Sequence, residues 1–144
     1  MIRIAPLALS LLLLGGCSQP AAGPSIRVTD AWARATVPGQ SSGAIYATIE
    51  NKGEADRLVG VTSDAGMAML HANEGKDGVA RMRMIGELEI PAAGRVPLAP
   101  GGTHVMLSGL KAPLTAGGDL AVTMRFALAG AQPVKVAIVD PGAR

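Results

Sequence analysis

One cysteine, Cys17, is all the thiol in this 144-residue chain. With no second cysteine, a disulfide framework is excluded, and the part of the chain beyond Cys17 has no thiolate with which to bind a soft metal. Aromatic residues are nearly as scarce: Trp32, Tyr46 and Phe126 stand alone of their kinds. Together with a formal charge of only +2, that removes the basic, stacking surface expected of a nucleic-acid binder. Long hydrophobic runs are lacking as well, because the apolar stretch from Ile4 to Gly16 is too short to cross roughly 30 Å of hydrocarbon. Acidic residues do not pair at spacings suited to acid-base catalysis, and Glu87 and Glu89 flank Leu88 as a solvated strand face. Ser41-Ser42-Gly43 lacks a nucleophile-elbow context, and the glycines form no phosphate-cradling loop. The reading is not an enzyme.

The N-terminus is read as an export signal. Arg3 precedes an apolar run of secretory length that ends at Leu14-Gly15-Gly16-Cys17. That tetrapeptide resembles the bacterial lipobox, which implies a lipoprotein signal peptide over residues 1–16 and lipid attachment at Cys17. An ordinary signal peptide cut near Ala21-Ala22-Gly23, with Cys17 left free, is the alternative; both readings export the chain. Residues 17–25 have the composition of a flexible tether. Localisation is then periplasmic with a lipid anchor, and Ser18 after the cysteine favours the outer membrane over the inner.

Residues 26–140 read as one all-β domain. Nineteen glycines and ten prolines punctuate short segments of period-two alternation, the pattern of a sandwich or barrel. Strands are expected at 26–32, 44–50, 57–63, 67–72, 79–85, 86–90, 103–110, 120–128 and 134–139. In the eighth of these, Leu120, Val122, Met124, Phe126 and Leu128 share one face, which makes Met124 a core residue.

Five of the seven methionines lie between Met67 and Met106, and both histidines, His71 and His104, fall in the same window. The turn-rich stretch Asn73–Gly78 predicts a hairpin with its tip near Lys76 and Asp77, and in the symmetric register His71 stands opposite Met82. Cross-strand partners have Cβ atoms about 4.5–5.5 Å apart, close enough for imidazole and thioether to share an ion. His104 and Met106, on one face of a later strand, would bring the donors to four. Uncharged thioethers favour Cu(I) over Zn(II), and a site without a thiolate suits capture and later release. Imidazole binds only when neutral, so capture is expected to weaken in mildly acid medium.

The spacing of His71, Met82, His104 and Met106 matches the H-x10-M-x21-H-x-M motif of periplasmic PCuAC-type copper(I) chaperones. VTDAWARAT (28–36), GAIYATIENKG (43–53), DRLVG (56–60), LEIPAAG (88–94) and HVMLSGLK (104–111) are similar to the same family. The resemblance implies a cupredoxin-like Greek-key β-barrel or sandwich holding one Cu(I) on His71, Met82, His104 and Met106. It also implies delivery to the dinuclear copper centre of cytochrome c oxidase, with the copper-bearing subunit or a Sco-type assembly protein as partner. Two positions depart from the pattern. Met84 stands where a proline is common and Met69 where a polar residue is common. These two additional thioethers on the hairpin face offer an alternative ligand or a transfer shuttle; the other reading takes Met69 and Met84, like Met67, as core or rim packing, and Trp32 reads as core or as packing beneath the site.

Three other functions compete for the same residues. Storage or detoxification of copper needs the same four donors without a delivery partner, and a metal-free envelope scaffold needs none. Blue-copper electron transfer requires a cysteine ligand beside two histidines, and the domain has no cysteine. Addition of Cu(II) is therefore expected to give no intense blue charge-transfer band; such a band in the visible spectrum would restore the electron-transfer reading.

Overall fold

The computed structural model describes residues 23–76 and 79–144. The expected signal peptide 1–16, Cys17, most of the expected tether and the hairpin tip at Asp77 lie outside the described residues. Ten strands follow one another: β1 (Ile26–Arg34), β2 (Ser42–Asn51), β3 (Asp56–Ser63), β4 (Met67–Lys76), β5 (Val79–Met84), β6 (Leu88–Ile90), β7 (Arg95–Leu98), β8 (His104–Ser108), β9 (Asp119–Phe126) and β10 (Gly130–Val139). No helix occurs among the described residues, so the all-β, single-domain expectation holds.

The sheet runs β5-β4-β8-β2-β1-β10-β9-β3-β6, with β7 attached to β2. Among the described residues only β1 and β10 pair in parallel, through Trp32–Arg34 and Ala137–Val139. β2 divides its edge, pairing Ser42–Ile45 with β8 and Ala47–Glu50 with β7. β7 is the strand that hydropathy alone overlooks. It is four residues long and contains Pro97, which cannot donate to a ladder and is confined to positions with one free edge.

Period-two alternation supplies the core. Ile45, Ala47 and Ile49 of β2, Val105 and Leu107 of β8, Val122, Met124 and Phe126 of β9, and Val136 and Ile138 of β10 all point inward. Complete burial of each large side chain contributes about 1.5–3 kcal/mol. Met124 is fully buried, as the alternation of its strand requires. Leu128 is a correction: it is 67% exposed, because β9 ends at Phe126 and the chain turns before the expected pattern is complete.

Two β-bulges reset the alternation. β3 slips by one residue between Leu58 and Gly60, so that Leu58 and Val61, three positions apart, both reach the core. β1 slips between Thr29 and Trp32, where Asp30 takes a left-handed φ of 50°. Without that extra residue Trp32 would share a face with Val28. With it, Trp32 lies opposite Tyr46 on the other side of the sheet.

Asp56, 3% exposed, closes the end of the barrel where β3 begins. Its carboxylate accepts backbone N–H bonds from Arg57 (2.7 Å), Leu128 (2.9 Å) and Ala129 (2.8 Å). Burial pushes the carboxyl pKa up, but the backbone N–H groups of Ala129, Arg57 and Leu128 together outweigh it and hold the pKa below the usual 3.8. Folding thus lowers this pKa, so its stabilisation is complete above pH 3.8 and is lost as pH falls through the lower folded value. Asp56→Asn is expected to cost about 1.5–3 kcal/mol near neutral pH, with the deficit shrinking near pH 3, as denaturant titrations at the two pH values would measure.

Candidate metal centre

β8 is the middle strand of the site, with β4 on one edge and β2 on the other. Its core-facing residues are Val105 and Leu107, so alternation turns His104 and Met106 to the opposite, outer face. In β4, Leu70 faces the core, which turns Met67, Met69 and His71 outward. The β4–β8 register then sets His71 directly opposite His104 and Met69 directly opposite Met106. The two imidazole centroids are 6.1 Å apart at an interplanar angle of 64°.

The hairpin differs from the symmetric register. His71 is opposite Met84, whereas Met82 is opposite Asn73. Lys76 pairs with Val79, which leaves only Asp77-Gly78 to connect them. Asp-Gly is a strong sequence signal for a two-residue hairpin loop, and it points to this register more directly than centring the whole polar stretch does. The slip moves the pairing by two residues, so Met82 and Met84 keep the face they share with His71.

Neither methionine is core. β5 is an end strand of the sheet, and Met82 and Met84 are 54% and 63% exposed; Arg81 and Arg83, which alternate with them, are exposed too. Met67 is exposed too, and Met69 is half-buried on the outer face. Of the core-or-rim reading of Met67, Met69 and Met84, the core half therefore fails, because these side chains are on the sheet face turned away from the core; the half-buried Met69 has the exposure of a rim position.

Each imidazole offers a nitrogen. In the connection from β7 to β8, Ala99-Pro100-Gly101-Gly102 forms a tight turn closed by the Gly102 N–H to the Ala99 carbonyl, with Gly101 at φ 78°. Proline then glycine at the two central positions is the composition of a type II turn. The turn brings the Gly102 carbonyl 3.0 Å from His104 Nδ1. A carbonyl can only accept, so Nδ1 carries the proton and Nε2 keeps its lone pair. His71 Nδ1 is buried with no hydrogen-bond partner among the described residues. An unsatisfied polar atom of that kind costs about 1–3 kcal/mol, which a bound cation would offset.

Aromatic residues extend the site along the same face. Tyr46 lies 6.2 Å from the His104 ring and 4.5 Å from Trp32, centroid to centroid. The guanidinium groups of Arg34 and Arg144 cover Trp32 at 5.6 and 5.5 Å, and Arg144 is held by Asp30 and by the Arg34 side chain, which donates to its main-chain carbonyl. Trp32 is thus buried beside the site rather than in the main apolar cluster. Sequence reasoning missed the pairing of Tyr46 with His104, whose only local signal is that Tyr46 and Ala44 alternate with the core residues Ile45 and Ala47.

This face does not line the roomy cleft at the other end of β1. That cleft, of about 440 Å³, lies between the diverging halves of β1 and β10, lined by Ile26, Val28, Ala31 and Val134. Nor does any trio of histidine, cysteine or carboxylate side chains converge among the described residues. The chemistry available is therefore two imidazoles with thioethers around them on one sheet face, a donor set for a soft, singly charged ion. Nitrogen-15 NMR of the protein at neutral pH is expected to show His104 protonated at Nδ1; protonation at Nε2 alone would remove the lone pair from the nitrogen assigned to the ion.

Comparison with known proteins agrees with this architecture. The family described as "Putative lipoprotein LpqE-like" matches residues 26–138. A relative from Leifsonia xyli subsp. xyli, named "Putative lipoprotein Lxx21020", is 36% identical over 152 aligned positions, covering 97% of this chain and 90% of its own length. Among solved structures, the copper-bound PCuAC domain from PmoF2 superposes with a TM-score of 0.70 at 25% identity, over 85% of this chain and 97% of that domain. The Cu(I) form of DR1885 from Deinococcus radiodurans gives 0.63 at 29% identity, over 90% and 85% of the two chains. The cupredoxin-like barrel, the run of strands and the extent of the match converge on one conclusion: the chain belongs to the LpqE-like family and carries the fold of the PCuAC copper-chaperone domains.

Proposed function

We propose that this protein is an exported copper(I) carrier, which captures one Cu(I) on His71, Met82, His104 and Met106 and passes it to a partner protein. The observation that carries the reading is the direct pairing of His71 with His104, with an unpartnered nitrogen on one and a tautomer-locked nitrogen on the other, on a face populated by thioethers. Cu(I) is the soft ion that such a set suits, and both PmoF2 and DR1885 domains are described in copper-bound form. Met106 follows His104 on the same face of β8, and Met82 projects from the edge strand where its flexible side chain can fold towards the imidazoles.

The donors are neutral, so the ion is not held by attraction to an anionic ligand. Nor is it sealed in, since Met82 is more than half exposed. Both properties favour exchange to another protein over permanent retention. The proposed recipient is the dinuclear copper centre of cytochrome c oxidase, directly or through a Sco-type assembly protein. Copper storage without a recipient is the competing reading. The lipoprotein description of the family and of the Leifsonia relative supports lipid attachment at Cys17 and residence in the periplasm, with Ser18 favouring the outer membrane.

Competition with a chromophoric Cu(I) chelator is expected to give one ion per chain. Replacement of His71, Met82, His104 or Met106 by Ala is expected to weaken binding stepwise, by about tenfold or more for each imidazole, which corresponds to about 1.4 kcal/mol. An unchanged affinity in the His104→Ala, Met106→Ala double variant would refute the ligand assignment. Mixing Cu(I)-loaded protein with the apo soluble copper domain of the oxidase separates the two uses of the site: metal transfer supports delivery, and retention supports storage.

A further inference from the structure

One Cu(I) is complete with three or four donors, yet the outer face of β4, β5 and β8 presents seven: His71, His104, Met67, Met69, Met82, Met84 and Met106. The register ranks them. Directly opposed residues have Cβ atoms about 4.5–5.5 Å apart, and diagonal neighbours about 7–8 Å. Met84 is directly opposite His71, and Met69 is directly opposite Met106. Met82 is only a diagonal neighbour of His71, since its direct partner is Asn73. By backbone placement, His71 lies between Met84 and His104 in one row across three strands, and Met69 completes a square with His71, His104 and Met106 on two.

Core packing does not explain these two thioethers. Met84 is 63% exposed on an edge strand, and Met69 is on the sheet face that the apolar core does not touch. Both side chains are unbranched with three rotatable bonds, and each can bring its sulfur over a neighbouring residue without backbone movement.

We infer that Met69 and Met84 are further Cu(I) donors of the same centre, so that one ion is shared by two overlapping thioether sets. The inner set is Met69, His71, His104 and Met106. The outer set replaces Met69 with Met82 or Met84 from the exposed edge strand. An ion that swaps one thioether for another never becomes two-coordinate on its way to the open edge of the sheet, so the exposed sulfurs of β5 form the exit side. This inference rests on the Cu(I) reading of the face, and its test is arranged to fail separately from it.

The protein is labelled with ¹³C at its methionine methyls and titrated with Cu(I), and in parallel with Ag(I) as a redox-inert probe. Met69 and Met84 methyls are expected to shift in the same one-ion step as Met82 and Met106, while the core residue Met124 stays in place as the internal control. Met82→Leu is expected to retain one Cu(I) with less than a tenfold loss of affinity against the chelator, and the triple variant Met69→Leu, Met82→Leu, Met84→Leu to lose more than a hundredfold. Leucine keeps the volume and removes the sulfur, so folding is preserved. Stationary Met69 and Met84 methyls beside shifting Met82 and Met106 methyls would overturn the inference and leave the four-donor copper site standing. So would uptake of two ions, with Met69 and Met84 responding only to the second. A wild-type protein in which no methyl moves and no ion is taken from the chelator overturns both readings.

Discussion

The pairing of β4 with β8 is the constraint on which the site depends. These strands are far apart in sequence, yet their ladder sets His71 against His104 and Met69 against Met106, residue for residue. The same ladder sets Leu70 against Val105 on the other side, where both are buried. Burial of that inner face therefore fixes the register, because a one-residue slip would carry every donor into the core and every core residue into water. The stability of the barrel and the geometry of the donor face come from one set of hydrogen bonds.

Around this pair the fold divides its labour by depth. His104, 5% exposed, is held by the turn at Ala99–Gly102, whose carbonyl determines which nitrogen is free. Tyr46 and Trp32 flank it, and the two guanidiniums over Trp32 close that side to solvent. On the opposite side the sheet ends at β5, where Met82 and Met84 are exposed. His104 is thus sheltered, while Met82 and Met84 are open to solvent. That asymmetry arises because β8 is central in the sheet and β5 is at its edge.

Much of this was legible in the residues. Scarcity of cysteine pointed to imidazole and thioether, and both histidines and five methionines cluster in a window whose strands prove to be neighbours in the sheet. Alternation located nearly every strand and the core role of Met124. Where alternation failed, the failure had a local cause: Pro97 hid β7, the bulge at Asp30 moved Trp32 to the other face, and the end of β9 at Phe126 left Leu128 in solvent. The hairpin register was present in Asp77-Gly78 but outweighed by the symmetry of the longer polar stretch.

By itself, then, the sequence determined which side-chain types are available, the all-β class and which residues share a parity along each strand, because side-chain type and a two-residue repeat are local properties. Tertiary structure alone decided which parity faces the core, which strands become neighbours, and hence that Met69 and Met84 lie nearer the imidazole pair than their spacing suggests. Those outcomes depend on pairing between segments distant in the chain and on the presence or absence of a packing layer over each face, and no local pattern encodes either.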